Sequence, residues 1–367
     1  MILGLYTLLS IYVLAIGWLV YGFAKVKKYQ STDLKPQTSF TIIVPFRNEE
    51  ENLPNLLESF STLNYPSDLF EVILVDDNSK EKFQISHFAF HISQIDNIRV
   101  SSSPKKDAIS TAMQQVKTEW VITTDADCLV SQNWLLTFDN YIQQNKVSMF
   151  AGAVSYACED SFLHHFQQLD LTSLQGATIG SFGLQKAFMC NGANFAYTKS
   201  IFEALNGFEG NDKIASGDDV FLLQKAVEAF PDEVHYLKAM EAIVTTKPTE
   251  DWKTLFYQRV RWAAKTSSYQ SSFGKILGLI VFLGNLSFVI GFFGVVFSIW
   301  PYYFFVWFAF LKFTIDFILL RCTNQFLTSE RIKSLFLSSL LYPFFSSTVA
   351  LYSLFGSYEW KGRKFTK

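Results

Sequence analysis

Hydrophobic and polar positions divide this chain into three stretches. From Ile2 to Ala24 no charge interrupts the apolar run, and Lys25, Lys27 and Lys28 follow at once. A run of that length crosses a hydrocarbon core as one helix, and no small-residue cleavage site separates it from the lysines, so it reads as a retained anchor. Beyond Lys275 come Ile276–Ile299, then Tyr302–Leu320 after Pro301, then Leu335–Tyr358, each of spanning length. Lys312 and Asp316 interrupt the second of these four residues apart, where they share a helix face and can neutralise each other.

Between the apolar ends the pattern changes to short strands alternating with amphipathic helices. Phe40–Val44 is a β-branched run stopped at Pro45, and Glu50–Phe60 follows with Leu53, Leu56, Leu57 and Phe60 at helical spacing. Phe70–Val75 repeats the strand signal and stops at Asp76, Asp77, Asn78 and Ser79, which favour a turn. Ile98–Val100, a helix over Lys106–Val116 and the strand Trp120–Thr123 complete another unit, which ends in Asp125 and Asp127. Strand–helix alternation predicts an α/β domain with a mostly parallel, helix-covered sheet. Ligands of such sheets bind beyond the carboxyl ends of the strands, where Arg47–Glu49, Asp76–Ser79 and Asp125–Asp127 fall.

Composition sharpens this division. Hydrophobic residues make up 49% of the 367 positions and charged ones 17%, with 38 Phe, and nearly all acidic residues lie between Asp33 and Asp251. The lysines after the first run place the middle domain on the cytoplasmic side by the positive-inside tendency. Alternating crossings then put the basic tail, Lys361, Arg363, Lys364 and Lys367, outside, against the same tendency; a break at Pro343 into a re-entrant hairpin is the alternative. Net charge is −2 and no basic run carries interleaved aromatics, which excludes electrostatic capture of nucleic acid. Cys128, Cys158, Cys190 and Cys322 form no CxxC pair and read as buried thiols rather than zinc ligands. The adjacent His164 and His165 face two directions and are assigned to the surface or an interface.

The strands lack both the GxGxxG fingerprint and the GxxxxGK[ST] loop, so a phosphorylated ligand needs another counter-charge. A divalent cation held by carboxylates supplies one. Asp125 and Asp127, in an extended segment, point the same way because side chains alternate, and Ala126 between them adds no bulk. An Asp-x-Asp after a strand is, by itself, more often a solvated turn. Gly217, Asp218 and Asp219 open the helical run Val220–Ala229, where the acids also suit plain capping. Gln258, Arg261 and Trp262 share one face of an amphipathic helix over Asp251–Tyr269, offering a fork for phosphate oxygens and a flat platform for a sugar ring; a membrane-surface helix with an interfacial Trp reads the same way.

In order, Val44-Pro45-Phe46-Arg47-Asn48-Glu49, Val75-Asp76-Asp77-Asn78-Ser79, Thr124-Asp125-Ala126-Asp127, Gly217-Asp218-Asp219 and Gln258–Trp262 resemble glycosyltransferase family 2 from about Thr41 to Trp262. The flanking spans look like its membrane-integrated branch, which includes cellulose, hyaluronan and ceramide-glucoside synthases. The resemblance implies a GT-A fold, a nucleotide-sugar donor, a UDP-sugar being the commonest, a Mg²⁺ or Mn²⁺ cofactor, and inversion by direct displacement onto a lipid or glycan hydroxyl. It implies a nucleoside pocket at Pro45, Arg47, Glu49 and Asp77, donor contact by Lys105 and Asp125, and metal binding by Asp127. Pro104 stands where the family often has glycine before that lysine. Gly192, Ala193 and Asn194, followed by a helix over Ser200–Leu205, resemble the loop that meets the transferred sugar and acceptor. Asp219 corresponds to the catalytic base, preceded here by Asp218, with Arg261 at the leaving diphosphate and Asp218, Gln258 and Trp262 toward the acceptor.

The expected organisation is an anchor over 1–24, the GT-A domain over 36–250, an interface helix over 251–272, a membrane region over 276–358 and the tail 359–367, in a bacterial inner or plasma membrane. Processive polysaccharide synthesis with export is the second enzymatic reading. A non-enzymatic membrane scaffold that keeps a glycosyltransferase-like domain is the third.

Overall fold

The computed structural model describes residues 2–32, 34–211, 216–328, 330–356, 358–360 and 363–365. Lys361 and Lys367 of the basic tail lie outside the described residues. The chain forms two compact units, one of 27–157 with 189–247, the other of 1–26, 158–188 and 248–367. The stretch 158–188, inside the span expected for the catalytic domain, groups with the helical unit.

Numbered along the chain, the strands are β1 Phe40–Phe46, β2 Phe70–Asp76, β3 His91–Asp96, β4 Trp120–Thr123, β5 Cys128–Leu129, β6 Met149–Gly152, β7 Val154–Tyr156, β8 Phe195–Thr198, β9 Val234–Leu237, β10 Val244–Thr246, β11 Tyr358–Trp360 and β12 Arg363–Phe365. The helices are α1 Ile2–Lys25, α2 Leu53–Ser61, α3 Pro104–Met113, α4 Trp134–Gln144, α5 Phe162–Gly183, α6 Lys199–Ala204, α7 Asp218–Ala229, α8 Trp252–Ala264, α9 Ser272–Val296, α10 Tyr302–Leu327 and α11 Leu335–Phe355.

In the α/β unit seven strands run in the order β3-β2-β1-β4-β8-β6-β9. β1, β2, β3 and β4 are mutually parallel, and β8 runs antiparallel to both β4 and β6. The sheet is therefore mixed and mostly parallel. A smaller sheet, β5-β10-β7, joins the turn after β4 to the segment after β9. Alternate residues of β1, Phe40, Ile42, Val44 and Phe46, pack with Leu53, Leu56, Leu57 and Phe60 of α2 and with Trp134 and Phe138 of α4. Burying these large apolar side chains, each worth about 1.5–3 kcal/mol, drives the layers together.

β1 is central yet contains Pro45, which removes a donor from the ladder. Its register explains the tolerance: β1 pairs with β2 through Phe46 but with β4 only through Ile43. The missing N–H falls beyond the end of the β4 ladder. Since the chain leaves β1 toward β2 and later returns to its other flank as β4, a crevice opens at their carboxyl ends.

The third strand lies earlier than the pattern suggests, at His91–Asp96, while Ile98 and Val100 are solvent-exposed loop residues. The helix expected from Asp251 to Tyr269 ends at Ala264 and continues as a single 3-10 turn over Thr266–Ser268.

In the helical unit α1, α9, α10 and α11 are long and apolar enough to cross a membrane. α11 runs unbroken through Pro343, so the re-entrant break does not occur within it. Lys312 is buried and reaches Asp316 Oδ2 at 2.8 Å, while the Tyr12 hydroxyl donates to Asp316 Oδ1 at 2.6 Å. The expected pairing is present, with Tyr12 as an added partner. β11 and β12 pair antiparallel.

Two expectations are corrected here. His164 is buried, not superficial, because its Nδ1 accepts from the Glu159 amide at 3.1 Å and its Nε2 lies 3.7 Å from Glu250. Cys158 is exposed and Cys322 partly so, leaving Cys128 and Cys190 as the buried thiols; none of the four forms a disulfide.

Candidate active site

The turns after β1 and β2 are tied together before any ligand is considered. Arg47 donates through one terminal nitrogen to the carbonyls of Asp77 at 2.8 Å and Asn78 at 2.9 Å. The Asn48 amide donates to Ser79 Oγ, and the Asn48 side chain accepts from the Lys80 amide, both at 2.9 Å. Asn48 and Asn78 both take positive φ, 51° and 60°, a conformation Asn tolerates better than most residues. Arg47 Nε is buried without a hydrogen-bond partner among the described residues. Glu49 accepts from Asn52 at 2.7 Å at the entrance of α2.

Asp77 is buried beside two groups that sequence patterning does not flag. Asn97 donates to Asp77 Oδ1 at 2.7 Å, and Arg99 lies 3.4 Å from the same oxygen and 3.1 Å from Asp107. Asn97 also donates to the carbonyl of Pro104, connecting Asp77 to the first turn of α3. Pro104, in place of the expected glycine, sits at the first helical position, where its absent N–H costs no bond.

Lys105 is the second residue of that helix, and its ammonium bridges the remaining clusters. It donates to Asp125 Oδ1 at 2.7 Å and lies 3.3 Å from Asp218 Oδ2. Burial alone would lower the Lys105 pKa, but the carboxylates of Asp125, Asp218 and Asp219 outweigh it and hold it well above its ordinary 10.5. Lys105 is therefore a fixed cation among three acids.

Asp125 and Asp127 occupy a turn, not the expected extended segment: the Cys128 amide donates back to the Asp125 carbonyl at 3.2 Å. Ala126 faces the core, Asp125 is partly exposed and Asp127 exposed. The two carboxylates thus still flank a buried alanine on the solvent side. Burial first, then the nearby Asp127 and Asp125 charges, raises the Cys128 thiol, which stays protonated.

Gly217 has φ 83°, the left-handed conformation that glycine adopts without penalty, and it turns the chain into α7. Asp218 and Asp219 follow in the first turn. The Gly192 amide donates to Asp219 Oδ2 at 2.8 Å, and Thr123 at the end of β4 donates to the Gly192 carbonyl at 2.9 Å. A Cβ on Gly192 would lie 3.1 Å from Asp218 Oδ2 and 3.2 Å from both Asp219 Cβ and Lys105 Nζ, so added bulk there would press these groups by a few tenths of an ångström.

Asn194 presents no surface to a ligand, which corrects its expected place at the acceptor. It is wholly buried, donating to the carbonyls of Ala153 at 2.7 Å and Ala242 at 2.8 Å and accepting from Trp134 Nε1 at 3.1 Å. Ala193 is buried as well.

The α/β unit therefore brings Lys105, Asp125, Gly192, Asp218 and Asp219 together, with Arg47 and Asp77 joined through the β1 and β2 turns. Gln258, Arg261 and Trp262 belong to the helical unit. There α8 buries Leu255, Arg259 and Val260, whereas Gln258, Arg261 and Trp262 are partly exposed. Arg259, which the sequence motif passes over, pairs with the buried Asp170, donates to Gln258 and stacks 4.2 Å from the Trp262 ring.

Among the described residues no group of three or more His, Cys, Asp or Glu is placed to hold a metal. A site with one or two carboxylates, completed by ligand oxygens and water, suits Mg²⁺ or Mn²⁺ rather than zinc, and Asp125 and Asp127 are hard oxygen donors of that kind.

Residues 41–205 match the family model for glycosyl transferase family 2. The beta-monoglucosyldiacylglycerol synthase of Trichormus variabilis is 28% identical over 151 residues, 40% of this chain and 31% of that protein. The probable glycosyltransferase YdaM of Bacillus subtilis is 24% identical over 247 residues, 63% of this chain and 56% of that one. This chain thus spans about a third to just over half the length of these relatives. A mannosyltransferase of Pyrobaculum calidifontis, solved in complex with GDP-Man and Mn²⁺, superposes with a TM-score of 0.57 at 14% identity, covering 90% of this chain and 100% of that one. The segment 41–205 is thus similar to glycosyl transferase family 2, and the mixed, mostly parallel sheet has a GT-A-like fold, accompanied among the described residues by four long apolar helices.

Proposed function

We propose that this protein is an inverting glycosyltransferase of a membrane-integrated branch of the family, moving a sugar from a nucleotide-sugar donor to a hydroxyl of a membrane lipid or growing glycan. The observation that carries the reading is the cluster of Asp125, Asp218 and Asp219 around Lys105 at the carboxyl ends of β1 and β4. The lysines that follow α1 support a cytoplasmic catalytic face. The name of the cyanobacterial relatives favours a lipid acceptor over a processive polymer.

In this reading Pro45, Arg47, Glu49 and Asp77 line the nucleoside pocket, and Arg47 and Asp77 are already fixed by the β1 and β2 turns. Lys105 and Asp125 face the donor. Asp127, with Asp125 beside it, would hold the divalent cation, which when bound offsets diphosphate charge. Asp219 takes the proton of the acceptor hydroxyl as that oxygen attacks the anomeric carbon. The bond from that carbon to the diphosphate oxygen breaks on the opposite face, and the electron pair leaves with the nucleoside diphosphate. Configuration inverts in one displacement and no covalent intermediate forms. The Gly192 amide donates to Asp219 Oδ2 at 2.8 Å and the Val220 amide to Oδ1 at 2.7 Å, so two backbone donors fix the direction of the carboxylate. Asp218 and Gly192 border the acceptor side. Gln258, Arg261 and Trp262 enter on their motif: a guanidinium suits a diphosphate and an indole suits a sugar face.

Purified full-length protein in detergent, given Mg²⁺ or Mn²⁺, UDP- and GDP-sugars and lipid extract, should form a single-sugar lipid product. Asp219→Asn keeps an acceptor for one of the Gly192 and Val220 amides but cannot take a proton, so turnover should fall by about 10²–10⁴. Unchanged turnover in the folded variant overturns the mechanism, and a ladder of polymer overturns the lipid acceptor.

A further inference from the structure

The helical unit holds a partly open cavity of about 140 Å³ that the transfer reaction does not use. Ile16, Leu19, Leu174, Leu277, Val281 and Leu320 form its apolar wall, and Tyr12, Lys312, Asp316, Ser338 and Ser339 also line it. The polar lining has three unusual features.

The first is the Ser338 hydroxyl, which is buried and has no hydrogen-bond partner among the described residues. In a helix such hydroxyls ordinarily bond a carbonyl three or four residues back. Thr314, Thr323, Thr348 and Ser353 in the same bundle do so. Ser338 does not, so an orphan hydroxyl borders a largely apolar space, which is unfavourable unless something pairs with it. The second is the carbonyl of Ser339. Pro343 lies inside α11, four residues on, and has no N–H to give that carbonyl its helical bond. The third is Lys312, buried with three ammonium hydrogens and Asp316 as its carboxylate partner, its remaining surroundings including the Tyr12 ring at 4.8 Å.

A donor, an acceptor and a group that is both thus border one space. Fixed charges in the lining are balanced, Lys312 by Asp316 and Asp170 by Arg259. An anionic headgroup, a phosphate monoester such as that of phosphatidic acid included, would bring an uncompensated charge into this low-dielectric site. An alcohol both donates and accepts. The four helices that could span a membrane make lipid the surrounding medium. A cavity of this size takes about six carbons, as engineered apolar cavities take benzene, so the occupant enters in part and the rest of its chains stay in the bilayer.

We infer that this cavity is a binding site for an uncharged glycerolipid with a free hydroxyl, of the diacylglycerol class, whose hydroxyl pairs with Ser338, Ser339 and Lys312. The inference needs no sugar transfer, and its test omits the donor.

Full-length protein in nanodiscs is labelled with a photoactivatable diacylglycerol, with unlabelled diacylglycerol or phosphatidic acid of the same chains as competitors. Label should map to peptides of α10 and α11, and diacylglycerol should displace it at about ten-fold lower concentration than phosphatidic acid. Ala177→Phe, which fills the lining beside Leu174, should reduce labelling about ten-fold, and Ser338→Ala about two- to ten-fold. Label spread over the outer helix surfaces and indifferent to competitor overturns the inference, as does equal displacement by phosphatidic acid. If Ala177→Phe does not fold, the competition on the unaltered protein decides.

Discussion

The ammonium of Lys105 lies 2.7 Å from Asp125 Oδ1, so a residue in the first turn of α3 neutralises the carboxylate that ends the fourth strand. With Asp218 and Asp219 on its other side, this cation keeps three acids together where repulsion would otherwise drive them apart. Lys105→Met should therefore lower kcat/KM by at least about ten-fold, and it should leave a less stable protein as well. The raised pKa also fixes the pH dependence. A group held above its ordinary 10.5 contributes fully below that value and loses its contribution only as pH rises through the folded value. Thermal unfolding from about pH 6 to 9 should show no loss traceable to Lys105, whereas Lys105→Met should unfold earlier across that whole range. A wild-type stability that drops inside this window, and does not in the variant, would contradict the assignment.

Asn194 holds together β8, the junction of β6 and β7, and the turn before β10 through Trp134, Ala153 and Ala242. Asn194→Ala orphans two buried carbonyls and an indole N–H, which should cost about 3 kcal/mol or more. Asn194→Asp keeps the shape but loses two donors and adds a buried charge, so it should be at least as destabilising. Chemical denaturation of either variant reads this directly. Near-normal stability with loss of acceptor binding would restore the ligand-facing role suggested by the motif.

The contrast between motif and geometry at Asn194 shows what a sequence makes legible. Strands β1, β2 and β4 were readable because both faces are buried, which forces continuous apolar runs. The strand β3 was misplaced because it is an edge strand with a polar, half-exposed sequence, while the nearby Ile98 and Val100 are apolar yet outside the sheet. Local chemistry was equally readable: the acids at Asp125–Asp127 and Asp218–Asp219 announce themselves by spacing. Their meeting at Lys105 did not, since it depends on which helices and strands the topology brings side by side. Arg99 and Arg259 were missed for the same reason, each being an ordinary Arg in sequence and an ion-pair partner only in space.

Arg259 and Asp170 are both about 95% buried, with side-chain exposures of 5% each, and pair across α8 and α5. Removing one partner leaves an uncompensated buried charge, so Asp170→Leu alone should cost about 3–5 kcal/mol. The double variant Asp170→Leu with Arg259→Met replaces the pair by apolar groups and should recover most of that loss. Unfolding of the four proteins in one detergent completes the cycle. Additive losses would mean that the two side chains do not stabilise one another.

α1 and α5 cross at glycines, and here the backbone itself sets the limit. A Cβ on Gly22 would meet the Gly180 carbonyl oxygen at 2.1 Å, one on Gly180 the Leu19 oxygen at 2.5 Å, and one on Gly183 the Gly22 oxygen at 1.9 Å. Backbone cannot swing aside as a side chain does, so the helices must separate, and overpacking of this kind costs about 1–3 kcal/mol or more. Small residues are what allow helices to approach this closely in an apolar medium, where dispersion rather than water drives association. Gly4, in the same helix α1, has nothing within 4 Å of its added Cβ. Gly4→Ala should therefore be neutral or stabilising by up to about 1 kcal/mol, through helix propensity alone. Gly22→Ala and Gly183→Ala, carrying the same propensity gain, should nevertheless lower the midpoint of thermal unfolding in detergent. If all three variants shifted the midpoint alike, the close crossing of α1 and α5 would not be what holds these helices together.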